Sequence, residues 1–158
     1  MIKKAIIFAG ILCLVGSLTA HARTFDSMQD ANTGIIQKIL YLENGDCLIE
    51  YMPEILSVQR SSTTGQKIFR YRNSDGVVEW TAVLSGSFTF NGSSATCTAA
   101  SCITSVQQGN WHETYNYAYP SGNTAQADIT MVRKVLFVTV QTETAHLVLS
   151  CDANGNLS

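Results

Sequence analysis

The stretch Val77-Val78-Glu79-Trp80-Thr81-Ala82-Val83-Leu84-Ser85-Gly86-Ser87-Phe88-Thr89-Phe90 decides the fold. Its even positions are Val, Trp, Ala, Leu, Gly, Phe and Phe. Its odd positions are Val, Glu, Thr, Val, Ser, Ser and Thr. Side chains alternate across a strand, so one face is almost wholly apolar and the other mostly polar. This is the pattern of a long, half-buried antiparallel strand. It points to an architecture and carries no catalytic signature.

Working outward, Asn73-Ser74-Asp75-Gly76 and Asn91-Gly92 are turn signals on either side of this strand. They predict hairpins to strands over 66–72 and 95–103. In the first of these, Ile68 and Arg70 face one way and Phe69 and Tyr71 the other. Further toward the N-terminus, 47–52 alternates weakly and Pro53 ends it, because proline has no N–H for a ladder. Residues 55–59 read as a short edge strand, and 35–42 fits either a helix or a strand.

On the other side, Trp111, Glu113, Tyr115, Tyr117 and Tyr119 share one face of a strand over 111–119. Pro120-Ser121-Gly122-Asn123 turns it into 124–140, with Ala125, Ala127, Ile129 and Met131 in phase. The apolar phase then shifts, since Leu136, Phe137, Val138 and Val140 crowd together. A bulge or a second turn is expected around Arg133-Lys134. Residues 144–151 close the fold, with Ala145, Leu147, Leu149 and Cys151 in phase. Strands joined by hairpin turns, with little convincing helix, predict an all-β antiparallel β-sandwich or small barrel.

The N-terminus reads as an export signal. Lys3 and Lys4 are followed by an apolar run from Ala5 to Val15 and by Ala20-His21-Ala22, an A-x-A cleavage pattern. The apolar run is too short to span a bilayer, which needs about 20 residues. The expectation is a signal peptide over 1–22, cleavage near Ala22, a secreted product without a stable membrane span, and one β domain over 23–158 with a loose lead-in at 23–34. Without Lys3 and Lys4, eight basic residues face twelve acidic ones, a net charge of −4. No basic patch is present, which argues against a nucleic-acid partner.

Cys13 leaves with the signal, so Cys47, Cys97, Cys102 and Cys151 remain. Four cysteines in an exported chain imply two disulfides, with three possible connectivities. Cys97 is in phase with Ala95 and Ala99, and Cys151 with Leu147 and Leu149. Trp111 lies between them, the Cys–Trp–Cys order of immunoglobulin-like sandwiches, although Leu149 stands where those domains carry a tyrosine. On this logic Cys97–Cys151 is the core bridge and Cys47–Cys102 pins the N-terminal segment. A tight Cys97–Cys102 loop is the rival. Zinc would need Cys97-x4-Cys102 with His112 or His146. The chain lacks any C-x2-C pair, so no metal is expected.

Trp80 with Gly86-Ser87-Phe88-Thr89-Phe90-Asn91-Gly92-Ser93-Ser94-Ala95-Thr96-Cys97-Thr98 resembles a segment of small exported proteins of Firmicutes, often written G-T-F-T-Y-N-G-S-S-A-T-C-T. The ending Leu147-Val148-Leu149-Ser150-Cys151-Asp152-Ala153-Asn154-Gly155-Asn156-Leu157-Ser158 is similar to their V-T-L-T-C-S-A-N-G-x-L-S tail. Ser121-Gly122-Asn123-Thr124-Ala125 matches a third piece. The group is uncharacterised, so the resemblance implies kinship and no activity. It covers Cys97 and Cys151 and leaves Cys47 and Cys102 as additions.

Chemistry-bearing sets are sparse. Only His112 and His146 follow the signal, no G-x-S-x-G elbow occurs, and His112 and Glu113 face opposite ways on a strand. Glu79, Glu113 and Asp128 read as solvent-face charges. Asp152-x-Asn154-Gly155-Asn156 resembles the start of a calcium loop but lacks its later glycine and glutamate. It reads as a terminal turn. No cofactor motif is present. The aromatic stripe Trp111, Tyr115, Tyr117 and Tyr119 has two readings. Buried, it is core; exposed, it is a platform on which sugar rings stack. The expected function is a non-catalytic binding module outside the cell, with glycan, cell wall or an extracellular protein as ligand. The alternative is a small secreted effector, antimicrobial or toxin-like, although the chain lacks a cationic amphipathic face. A hydrolase ranks third.

Overall fold

A computed structural model describes residues 34–158. The expected signal peptide, its cleavage point and nearly all of the lead-in lie outside the described residues. Nine strands follow in chain order: β1 (Ile36–Tyr41), β2 (Cys47–Tyr51), β3 (Glu54–Gln59), β4 (Ser62–Arg72), β5 (Val78–Phe90), β6 (Ala95–Val106), β7 (Trp111–Ser121), β8 (Thr124–Val135) and β9 (Val138–Ser150). No helix occurs among the described residues. The first six strands form one antiparallel sheet in the order β1-β2-β4-β5-β6, with β3 also paired to β4. The last three form a second sheet, β7-β8-β9.

The segment 35–42, open to either reading in the sequence, is a strand. Met52-Pro53 breaks what would be one long edge into two, so β2 pairs with 69–72 of β4 and β3 with 62–66. Neighbouring strands are joined by hairpins except β2 and β4, which pair across the short β3. The Greek-key return of immunoglobulin-like sandwiches is not among the described strands.

The strand 77–90 does what its alternation predicts. Trp80, Ala82, Leu84, Gly86 and Phe88 of β5 are buried. With Phe69 and Tyr71 they meet Ala125, Ala127, Ile129, Met131, Leu147 and Leu149 of the second sheet in one core. The close approach of the sheets is visible at Gly86, where a Cβ would sit 2.6 Å from the Phe88 ring and 2.9 Å from the Ala125 Cβ. Tyr71 stacks on Trp80 at 5.1 Å, and Trp111 meets both rings edge-on at 5.3 and 6.4 Å.

Bulges interrupt the alternation, at Gln37 and Leu56 in the edge strands β1 and β3 and at four places in the longer strands, and each re-aims side chains by adding one unpaired residue. Tyr71 pairs with Trp80 but Arg72 with Val78, so Glu79 is extra. Thr98 is extra in β6, Thr114 in β7 and Val140 in β9. The phase shift near Arg133-Lys134 is thus a bulge and also a turn. Residues 124–150 form a hairpin whose tip is Leu136-Phe137, and both tip residues hold positive φ, 49° and 68°. Residues with a Cβ avoid this region at a cost of about 1–2 kcal/mol each, so Leu-Phe is an unusual pair here and no glycine or asparagine marks the turn.

Candidate functional site

Two constellations stand out, one at an end of the core and one on an outer face. The first surrounds the Tyr71–Trp80–Trp111 ring cluster. The bulge at Glu79 turns this carboxylate inward, and Glu79 is 5% exposed. It accepts from the Trp111 indole N–H at 2.6 Å and from Asn73 at 3.3 Å, with Arg133 at 4.0 Å. The solvent-face reading of Glu79 is therefore corrected: a one-residue insertion moved it to the buried side.

Beside it, the Tyr71 hydroxyl donates to Asp46 and lies 3.5 Å from Glu143. Gln141 donates to Tyr71 at 2.7 Å and to Glu143 at 2.9 Å. Burial first, then the hydrogen bond to Asp46, pushes the Tyr71 hydroxyl above its ordinary value of 10.0. The folded state therefore holds this proton more tightly than the unfolded chain does. The stability it contributes is complete below about pH 10 and falls as pH rises beyond that, because the unfolded chain ionises first. Tyr71→Phe should cost about 1–3 kcal/mol at pH 8, since Asp46 loses its donor. The gap to wild type should narrow by pH 11, which urea midpoints measured across that range would check. Every carboxylate in this group is occupied by a protein donor, so the group closes the end of the core.

The cysteines resolve in part. All four are thiols in this structure. Cys47–Cys102 is corrected on two grounds. The register puts Cys47 opposite Arg72, on the outer side of its sheet, whereas Cys102 packs against the core. Strands β4 and β5 also lie between β2 and β6, which separates the two residues by about 14 Å at ~4.8 Å per strand, beyond the reach of a disulfide. The rival Cys97–Cys102 fails as well, because five residues of one strand span about 16 Å. Cys97 and Cys151 remain together in the core cluster. Their amides donate to the consecutive carbonyls of Gly122 and Asn123, at 2.7 and 3.0 Å. Burial raises both thiols, and on Cys151 the charges of Asp152 and then of Cys97 add to it. Burial raises Cys102 further, to about 11, with Glu113 adding to it.

The stripe on β7 splits. The Thr114 bulge reverses the alternation, so Trp111 points inward and is 3% exposed, whereas Tyr115 and Tyr117 are 52% and 56% exposed. Trp111 is thereby corrected from platform to core, and the three tyrosines stand on the outer face of the second sheet. Register places them in a grid of three rows: Tyr115–Thr130–Thr144, Tyr117–Asp128–His146 and Tyr119–Gln126–Val148. The Tyr117 and Tyr119 rings stack at 5.4 Å. His146 Nδ1 and Asp128 Oδ1 lie 2.6 Å apart, both well exposed. Desolvation, followed by the charge and hydrogen bond of Asp128, raises the Tyr119 hydroxyl. The sequence offered the tyrosines but not this pairing, since His146 and Asp128 are 18 residues apart and only register joins them.

This face offers flat rings beside a polar pair. At the C-terminus, both Asp152 oxygens accept from the Asn154 and Asn156 groups at 2.8–2.9 Å, as in a turn. The Asn156 side chain leads in holding the Asp152 carboxyl below its usual range. No family model, curated protein or solved structure matches the chain.

Proposed function

We propose that the protein is an exported, non-catalytic binding module of the cell envelope, and that its ligand is a glycan held on the outer face of the second sheet. The observation that carries this is the row of exposed Tyr115 and Tyr117 and half-buried Tyr119 beside the Asp128–His146 pair. Sugars present apolar ring faces edged with hydroxyls. Exposed tyrosine rings match the faces, and a carboxylate with an imidazole matches the edges. The N-terminal signal pattern supports an extracellular setting. We also propose that the mature domain carries one disulfide, Cys97–Cys151, joining the end of one sheet to the other.

Retention on insoluble cell-wall glycan tests the reading. Wild type should be retained, and Tyr117→Ala should lose about tenfold in affinity, since one stacked ring contributes about 1–1.5 kcal/mol. Thr81→Ala, on the other sheet, should bind as wild type does. Equal retention of Tyr117→Ala and wild type, or no retention of either, contradicts the proposal.

A further inference from the structure

We propose that the β8–β9 hairpin tip is a membrane-contacting device that dips into the interface of an anionic bilayer. Leu136 is 87% and Phe137 99% exposed, and Val135, Val138 and Val140 beside them are 47%, 63% and 55% exposed. A run of five large apolar side chains at one protruding tip marks an interaction site rather than scattered surface residues. Trp111, the first residue of β7, pairs with Arg133, so the hairpin beyond it has no strand on its β7 side. The ladder continues through Lys134–Thr139 and Val135–Val138 to the tip. At about 3.3 Å per residue this overhang is roughly 7–10 Å, which matches the 5–10 Å depth to which interfacial segments bury their apolar side.

Charge selects the surface. Lys134 lies just behind the apolar tip, at the level that headgroup phosphates would occupy, and the opposing Thr139 is uncharged; Arg133, one residue further back, faces Glu79 at 4.0 Å, so Lys134 carries the charge argument. Basic residues at that depth are drawn to anionic lipid and weakly to neutral lipid. The turn geometry fits the same reading. Both tip positions have positive φ, where Asn-Gly is the relaxed pair and Leu-Phe among the least suited. The fold thus keeps two bulky apolar groups where the backbone disfavours them, and it presents both to solvent.

Co-sedimentation with vesicles of phosphatidylglycerol and phosphatidylcholine tests this, using wild type and the double variant Leu136→Asn/Phe137→Gly. The variant places the relaxed pair in the turn, so its melting temperature should equal or exceed that of wild type. Wild type should sediment with anionic vesicles, and the variant should partition on the order of 100-fold less, as expected for losing two large apolar side chains. Lys134→Gln should weaken binding to anionic vesicles and leave the slight binding to pure phosphatidylcholine unchanged. Retention on glycan should be the same for all three proteins, which separates this proposal from that of the tyrosine face. Equal sedimentation of wild type and double variant, or none by wild type, overturns the proposal. So does a wild type that self-associates without lipid and becomes monomeric in the double variant, because the tip would then serve a second copy.

Discussion

Trp80→Ala should lower the free energy of unfolding by about 3–5 kcal/mol, the range for truncating a fully buried aromatic ring. Trp80 is 1% exposed, stacks on Tyr71 and meets Trp111 edge-on. Its indole N–H finds no acceptor among the described residues. Its contribution is therefore packing, drawn from both sheets at once. Domains of this size hold only about 5–15 kcal/mol in all, so the variant should be near the edge of folding at room temperature. Urea titration followed by far-UV circular dichroism would measure it. Thr81→Ala, one residue along and on the other face of β5, should stay within about 0.5 kcal/mol of wild type. A loss below 1 kcal/mol for Trp80→Ala would mean that the two sheets do not meet on this ring.

Oxidation should join Cys97 to Cys151 and leave Cys47 and Cys102 as thiols. With oxidised glutathione, the two thiols give up two protons and two electrons and release two reduced glutathiones. Burial holds both thiols above their ordinary value, so the first exchange should be slow at neutral pH and faster as pH rises. The bridge closes a loop of about 54 residues, which in the chain-entropy model stabilises the fold by about 4 kcal/mol. Non-reducing peptide mapping should yield one linked pair, and the urea midpoint should fall on reduction. A Cys47–Cys102 or Cys97–Cys102 peptide would contradict the strand order, because neither pair can approach without dismantling a sheet.

Period-two alternation was legible wherever one face is buried and the strand unbroken. Trp80 to Phe88 and Ala125 to Met131 could be assigned to the core from the sequence because a slipped register would expose all of them. Of the bulges, the one near Arg133-Lys134 was announced by the crowding of Leu136, Phe137, Val138 and Val140; the others were not legible. A single extra residue at Glu79, Thr98 or Thr114 has no composition of its own, yet it moved Glu79 and Trp111 to the buried side. Lys67 was hidden for a related reason. It sits on the inward face of β4, 3% exposed and paired with Glu50, where alternation alone would ask for an apolar residue. The Leu136-Phe137 turn carries none of the usual glycine or asparagine, so only the crowding of apolar residues around it gave a sign. The tyrosine face was half legible. Three tyrosines at alternate positions declare a common face, but whether that face is wet depends on the Thr114 bulge, and the Asp128–His146 pair depends on cross-strand register.

On the function proposed above, the outer face of the second sheet holds the ligand. Amide chemical-shift mapping of nitrogen-15-labelled protein, titrated with soluble cell-wall glycan fragments, tests it most directly. The predicted result is a contiguous set of shifts at Tyr115, Tyr117, Tyr119, Gln126, Asp128 and His146, with β4 and β5 unmoved. Shifts confined to the β1–β6 sheet, or no shifts at millimolar fragment, would contradict it.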